Sequence, residues 1–305
     1  MGKTALLFPG QGSLSETMGR DLRDLVCGSG PMEASVSRLV GADIWSVISN
    51  IRHAPVAHVQ PGIVFQSALA ALAVRQAGIK ADGYAGHSLG EYTALYASGA
   101  LPFDDMIRLV VARGEAMDIA ASRVPGGMAA ILGPDHGTVR SLLEDSDLSD
   151  VVIANLNAPG QTVISGSLSS LERVSGIITT KTSARLVTLD VKGGFHSPLM
   201  DGAADALRRE LDAITFDQIH TPLYMTTTAS RVSTPVIKDV LVRHMTEPVR
   251  FEEMVRTMIA DGYTTFVEAG PGKVLSGLVK RIDRSVRIVS VQTKEDIITL
   301  KGSII

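Results

Sequence analysis

The apolar residues of this chain fall into short runs separated by glycine, proline and small polar residues, and the period of those runs changes along the chain. Thr4-Ala5-Leu6-Leu7-Phe8 is a short apolar run that ends at Pro9-Gly10-Gln11-Gly12-Ser13. It predicts a buried strand entering a tight glycine-rich loop. Residues 14–58 carry a mostly helical pattern, with polar breaks at Gly28-Ser29-Gly30-Pro31 and His53-Ala54-Pro55. Gln60-Pro61 predicts the start of an Ala-rich helix running from about Gly62 to Ala77 and closed by Gly78, because proline suits the first helical turn and glycine the end. A short strand is expected over 79–85 and a helix from Glu91 to Ala97. After Pro102 another helix runs from Phe103 to about Ala121, with Met106, Ile107, Leu109, Val110 and Val111 supplying its buried face.

From residue 126 to 191 the pattern shifts to alternating strands and helices. Strands are expected over 127–133, 151–156, 161–166 and 184–191, with helices over 138–145 and 169–181. The turn Asn157-Ala158-Pro159-Gly160 makes the middle strands a hairpin. The order is β-α-β-β-α-β, a ferredoxin-like unit. Inserted into a larger α/β body, it would form one wall of a cleft. Beyond it, helices are expected over 199–213, 237–245, 251–260 and 274–282, and strands over 223–228, 265–268 and 287–291. There is no internal repeat and no low-complexity tract.

Composition narrows the classes. A chain of 305 residues with 45% apolar and 20% charged residues can build a core, as one large domain or two modest ones. A net charge of −3 and a pI near 6.2 argue against nucleic acid as a partner. A single cysteine, Cys27, supports neither a disulfide framework nor a Cys-based zinc site, and fits a reducing compartment. The apolar run before Pro9 is too short for a signal peptide, and no apolar run approaches the length of a membrane span. The expectation is a soluble cytoplasmic protein.

The chemistry concentrates at Gly86-His87-Ser88-Leu89-Gly90, which reads G-x-S-x-G between an expected strand and an expected helix. That is the setting of a nucleophile elbow: the serine stands on a strained turn whose flanking glycines carry no Cβ. The helix behind it would aim free N–H groups where an oxyanion forms in acyl transfer. The loop at Gly10-Gln11-Gly12 could present backbone N–H groups to a ligand or be a plain turn. Neither common nucleotide-binding glycine motif is present. Arg113 lies in an apolar helix, where it either snorkels to water or turns inward to bind a carboxylate. Of seven histidines, His196 sits at a glycine-rich hinge and is the candidate base for Ser88. An α/β-hydrolase esterase would share the elbow but use an acid between Ser and His, and Asp190 is available for that role. Lys273, Lys280, Arg281, Arg284 and Arg287 form a basic cluster around the 274–282 helix. The cluster is either a solvated helix end or a docking patch for an acidic partner.

Taken together, Phe8-Pro9-Gly10-Gln11-Gly12-Ser13, Gln60-Pro61, Gly86-His87-Ser88-Leu89-Gly90-Glu91, Arg113-Gly114, Asn155 and Asn157, Phe195-His196-Ser197 and Glu268-Ala269-Gly270-Pro271-Gly272 resemble, in order and spacing, the malonyl-CoA:acyl carrier protein transacylases. The resemblance spans residue 4 to about 291. It implies an α/β fold: an α/β-hydrolase-like large subdomain with a mostly parallel sheet from residues 1–125 and 192–305, and an inserted ferredoxin-like subdomain at 126–191. It implies Ser88 as nucleophile, His196 as base and acid, and an oxyanion hole from the backbone N–H groups of Gln11 and Leu89. Substrate-binding positions would be Arg113, which would hold the malonyl carboxylate, with Gln60, Asn157 and Phe195. The histidine would be oriented by a backbone carbonyl near Glu247–Arg250, assigned to Arg250. The implied activity is ping-pong transfer of malonyl from malonyl-CoA to the phosphopantetheine thiol of an acyl carrier protein, for fatty-acid or polyketide synthesis. No cofactor and no metal are implied, and a monomer is expected. Phe195 would favour malonyl over branched extenders. The same fold also serves malonate decarboxylase as its malonyl transfer subunit.

Overall fold

The computed structural model describes residues 2–13, 16 and 19–304. In chain order its regular elements are β1 (Lys3–Phe8), α1 (Arg20–Leu25), α2 (Ser29–Val40), α3 (Ile44–Ser49), α4 (Val56–Gln76), β2 (Gly83–Gly86), α5 (Gly90–Ala97) and α6 (Phe103–Arg123). Then come β3 (Gly126–Leu132), α7 (His136–Glu144), β4 (Val152–Ala158), β5 (Gln161–Ser167), α8 (Leu168–Lys181) and β6 (Arg185–Thr188). The chain closes with α9 (Asp201–Asp212), β7 (Leu223–Met225), β8 (Ser230–Arg231), α10 (Ile237–Arg243), α11 (Phe251–Ala260), β9 (Tyr263–Ala269), α12 (Val274–Ile282), β10 (Arg287–Val291) and α13 (Lys294–Ile304).

The larger sheet has the order β10-β9-β1-β2-β7-β8. Its pairs are parallel except β7 with β8. Central strand β1 is covered on both faces, which is why Ala5 to Phe8 read as an unbroken apolar run. The smaller sheet, of order β4-β5-β3-β6, is antiparallel throughout. With α7 and α8 it has the β-α-β-β-α-β order read from the sequence, and Gly160 at φ +68 closes its hairpin. Strand β4 also bridges to the larger body: Val249 N–H donates to Ala154 O at 2.8 Å, and Leu156 N–H donates to Val249 O at 2.9 Å.

Helix α4 is the core helix, buried on nearly every face. By length and composition it alone among the described residues could cross a bilayer, but 94% of its apolar window lies inside the protein. It begins at Val56, ahead of the expected start, with Pro61 inside it. The reason lies on another helix. The Asp118 carboxylate of α6 accepts from Val56 N at 3.2 Å and Ala57 N at 3.1 Å, satisfying the first free N–H groups. Helix α2 likewise starts within the expected break, at Ser29. The part of the expected 14–58 helical region that falls on 14, 15, 17 and 18 lies outside the described residues. The strand expected over 223–228 stops at Met225, because the Thr226 N–H and hydroxyl turn to the Glu91 carboxylate instead of a neighbouring strand. Helix α13 was not anticipated.

Candidate active site

Strand β2 ends at Gly86 and α5 starts at Gly90, so His87, Ser88 and Leu89 reverse the chain. Ser88 sits at φ +50, a left-handed conformation costing a non-glycine residue of order 1–3 kcal/mol. The turn is over-determined: His87 N–H donates to Phe8 O at 2.9 Å, Gly90 N–H to His87 O at 3.0 Å, and Glu91 N–H to Ser88 O at 3.0 Å. Space explains the two glycines. A Cβ on Gly86 would overlap the Gly90 backbone, and one on Gly90 the Phe8 carbonyl. Leu89 is the N-cap of α5, so its N–H precedes the helical ladder.

His196 reaches Ser88 from the loop after β6. That loop is pinned by the buried Ser197, whose hydroxyl donates to Gly194 O at 2.6 Å. His196 itself has φ +56. Its Nε2 lies 2.9 Å from Ser88 Oγ, and its Nδ1 lies 2.9 Å from His244 O. A carbonyl only accepts, so Nδ1 carries the proton and Nε2 is left to accept from the serine hydroxyl. Burial, then the positive charge of Arg113, pushes the imidazole pKa down to about 3. The ring is therefore a neutral base at ordinary pH. The orienting carbonyl is a correction to the expectation at Arg250. It belongs to His244, the C-cap of α10, where carbonyls run out of helical donors. Arg250 instead pairs through its guanidinium with Glu253 and donates its N–H to Thr226 O at 3.2 Å. Asp190 lies exposed on the cavity wall, and no carboxylate pairs with His196 among the described residues.

Ser88 and His196 open into a cavity of about 490 Å³ between the two sheets. Gln11, Leu89, Arg113, Asn157 and Phe195 all line it. Arg113, on α6, is 2% exposed, lies 5.8 Å from the Tyr92 ring, and has no hydrogen-bond partner at Nε. A guanidinium buried in this way suits an anionic group entering the cavity. Asn157 Oδ1 lies 2.8 Å from His87 Nε2 and so ties the small sheet to the elbow. Phe195 forms apolar wall together with Met117, Met128 and Val163. Gln60 corrects a further expectation, because it stands behind the wall. It is fully buried, and its amide donates to Gln11 Oε1 at 3.3 Å. That contact supports the Gly10–Ser13 loop rather than a ligand. Asn155, which stands with Asn157 in the motif, brings its Nδ2 to 3.5 Å from His87 Nε2. Sequence reasoning missed the His244 carbonyl, which no local pattern marks.

The model of the acyl transferase domain matches residues 5–297. A protein named malonyl CoA-acyl carrier protein transacylase from Bacillus subtilis (strain 168) is 38% identical, over 97% of this chain and 96% of its own. This chain belongs to the malonyl-CoA:acyl carrier protein transacylase family. Solved members of the family superpose closely. The MCAT from Streptococcus pneumoniae gives a TM-score of 0.93 at 34% identity, covering 99% of this chain and 100% of that one. A malonyl-transacylase in complex with its type II PKS acyl-carrier protein gives 0.92 at 32% identity, with 99% of both chains covered. The transacylase family therefore accounts for both sheets of this fold, the small one included.

Proposed function

We propose that this protein is a malonyl-CoA:acyl carrier protein S-malonyltransferase, working through an acyl-serine in fatty-acid or polyketide synthesis. The observation that carries the reading is the Ser88 Oγ–His196 Nε2 contact of 2.9 Å in one cavity with the buried Arg113. In the first half-reaction the Ser88 hydroxyl gives its proton to His196 Nε2, and Oγ attacks the thioester carbonyl of malonyl-CoA. The oxyanion forms against the N–H groups of Gln11 and Leu89. The C–S bond breaks, and the CoA sulfur leaves with the proton from His196. In the second, the phosphopantetheine thiol passes its proton to His196, its sulfur attacks the acyl-serine, and Ser88 recovers the proton. Arg113 binds the malonyl carboxylate, and Phe195 crowds a substituent on the α-carbon, which favours malonyl over branched extenders.

Two features favour a transferase over an esterase of the same fold. The base is held by a carbonyl instead of an acid, and a buried arginine serves no purpose for a neutral ester. Residues 126–191 act as the subdomain that closes the cleft. The protein works as a cytoplasmic monomer, a state that light scattering tests. Mixing with malonyl-CoA alone should add one malonyl group, seen by intact mass, and Ser88→Ala should remove the adduct. An adduct unchanged in the Ala variant would overturn the assignment. Rapid release of free malonate, with none passed to a carrier thiol, would favour the esterase.

A further inference from the structure

Behind the Ser88–His196 pair lies a second buried pair, Glu91 and His244, that the reaction as written does not use. Both side chains are 0% exposed. Glu91 is on the first turn of α5, just past the elbow, and His244 caps α10. One oxygen of Glu91, Oε1, accepts from the backbone N–H and from the hydroxyl of Thr226, both at 2.6 Å. The other, Oε2, faces Nε2 of His244, a ring that burial keeps neutral, at 3.8 Å. Neither that oxygen nor either nitrogen of the His244 ring has a hydrogen-bond partner. Buried polar atoms are rarely left this way, and here Glu91 Oε2 and His244 Nε2 face each other. The His244 ring also stands edge-on to the His196 ring, with centroids 5.0 Å apart.

These contacts join the catalytic base to the rigid part of the fold. The His244 carbonyl holds His196 Nδ1 at 2.9 Å. The peptide bearing that carbonyl sits at a helix end, where one backbone bond, from Met245 N–H to Val242 O at 3.1 Å, fixes its orientation. Its own side chain can supply what the backbone lacks, because Glu91 is anchored to the end of β7 through Thr226. We propose that the His244 side chain is a positioning residue. By directing Nε2–H at Glu91, it fixes the carbonyl that aims His196 at Ser88. Glu91 thus supplies, at one remove, the orientation that a carboxylate in direct contact gives the histidine of a Ser-His-Asp triad. The inference rests on the acyl-serine reading above.

The test compares His244→Phe with His244→Gln, read as the rate of self-loading from malonyl-CoA. Phe keeps a ring against His196 but has no donor for Glu91. Gln retains an N–H donor of similar reach. His244→Phe should lower kcat for loading by about 10- to 100-fold with KM unchanged, since Arg113 and the cavity wall are untouched. His244→Gln should stay within about threefold of the parent, because an amide N–H replaces the imidazole donor. Thr226→Val removes one of the two anchors of Glu91 and should lower kcat in the same sense, by a smaller factor. It provides the comparison if His244→Phe does not fold. Equal loss in the Phe and Gln variants, parental kcat in both His244→Phe and Thr226→Val, or a loss carried by KM would overturn the proposal. Failure of the parent itself to form an adduct would instead overturn the acyl-serine reading.

Discussion

Arg113 and His196 share one cavity, and each changes what the other can do. The guanidinium is the second cause, after burial, of the depressed pKa of the imidazole. A substrate carboxylate that pairs with Arg113 cancels that charge at the moment the base is needed. A neutral acyl group leaves it in place, so under the proposed assignment Arg113 would both bind malonyl and penalise acetyl. Arg113→Ala should therefore cut loading from malonyl-CoA on the order of 100-fold, the scale of a lost buried ion pair. Loading from acetyl-CoA should hold or rise, and parallel losses for both would contradict this role. The same coupling sets the pH dependence. Inactivation by a neutral serine-directed sulfonyl fluoride needs the neutral base. Its acid limb should lie well below the ordinary histidine value of about 6.5 and move to higher pH in Arg113→Ala. A limb that does not move would show the two charges to be uncoupled. For stability the sign is fixed by the depressed value. Folding favours the neutral ring, so this contribution is full above about 6.5 and is lost as pH falls toward about 3.

Among the elements, α12 has two faces with different work. Leu275 and Leu278 reach the active-site cavity, while Lys280, Arg281 and Arg284 line a separate shallow concavity with Gly277 and Val286. Arg281 Nη1 donates to Gln161 Oε1 at 3.1 Å, which brings this basic surface to the mouth of the cleft. The helix stops at Ile282, so Arg284 joins the patch from the following loop and not from a continuous helical face, while Arg287 lies on β10 outside the lining of the concavity. The patch is a suitable approach for an acidic carrier protein. Lys280→Glu with Arg284→Glu should weaken transfer to the carrier and flatten its salt dependence, while self-loading from malonyl-CoA stays at the parental rate. Parental transfer in the reversed variant would place docking elsewhere.

Across the whole molecule, the cleft lies between two sheets that share part of one core, with Met128, Ala130, Ala154 and Val163 of the small sheet packed into it. One tie between them is the pair of hydrogen bonds between Val249 and strand β4, next to the His87–Asn157 contact of 2.8 Å; His136 to Glu252 at 3.1 Å is another. Val249→Pro removes the donor to Ala154 O and should destabilise the protein by about 1–3 kcal/mol. Faster hydrogen exchange at Leu156 and slower loading by Ser88 should accompany it. A variant with parental exchange at Leu156 would show the tie to be redundant. Much of this architecture is legible in the chain itself. Period-two and period-3.6 patterns report local burial, so β1, the β-α-β-β-α-β insert and α6 could be read directly. The elbow could be read too, because Gly86 answers a steric demand met within a few residues, at Gly90, although the demand on Gly90 itself comes from the Phe8 carbonyl of β1. Contacts between distant segments could not. The early start of α4 depends on Asp118, the end of β7 on Glu91, and the aim of His196 on a carbonyl at His244. None of these leaves a periodic trace, because a capping carboxylate or an orienting carbonyl acts through its place in space. The sequence alone determined the candidate residues Ser88, His196 and Arg113 and the elements that carry them. Only the tertiary structure decided which helix-end carbonyl faces the base, because packing sets that direction.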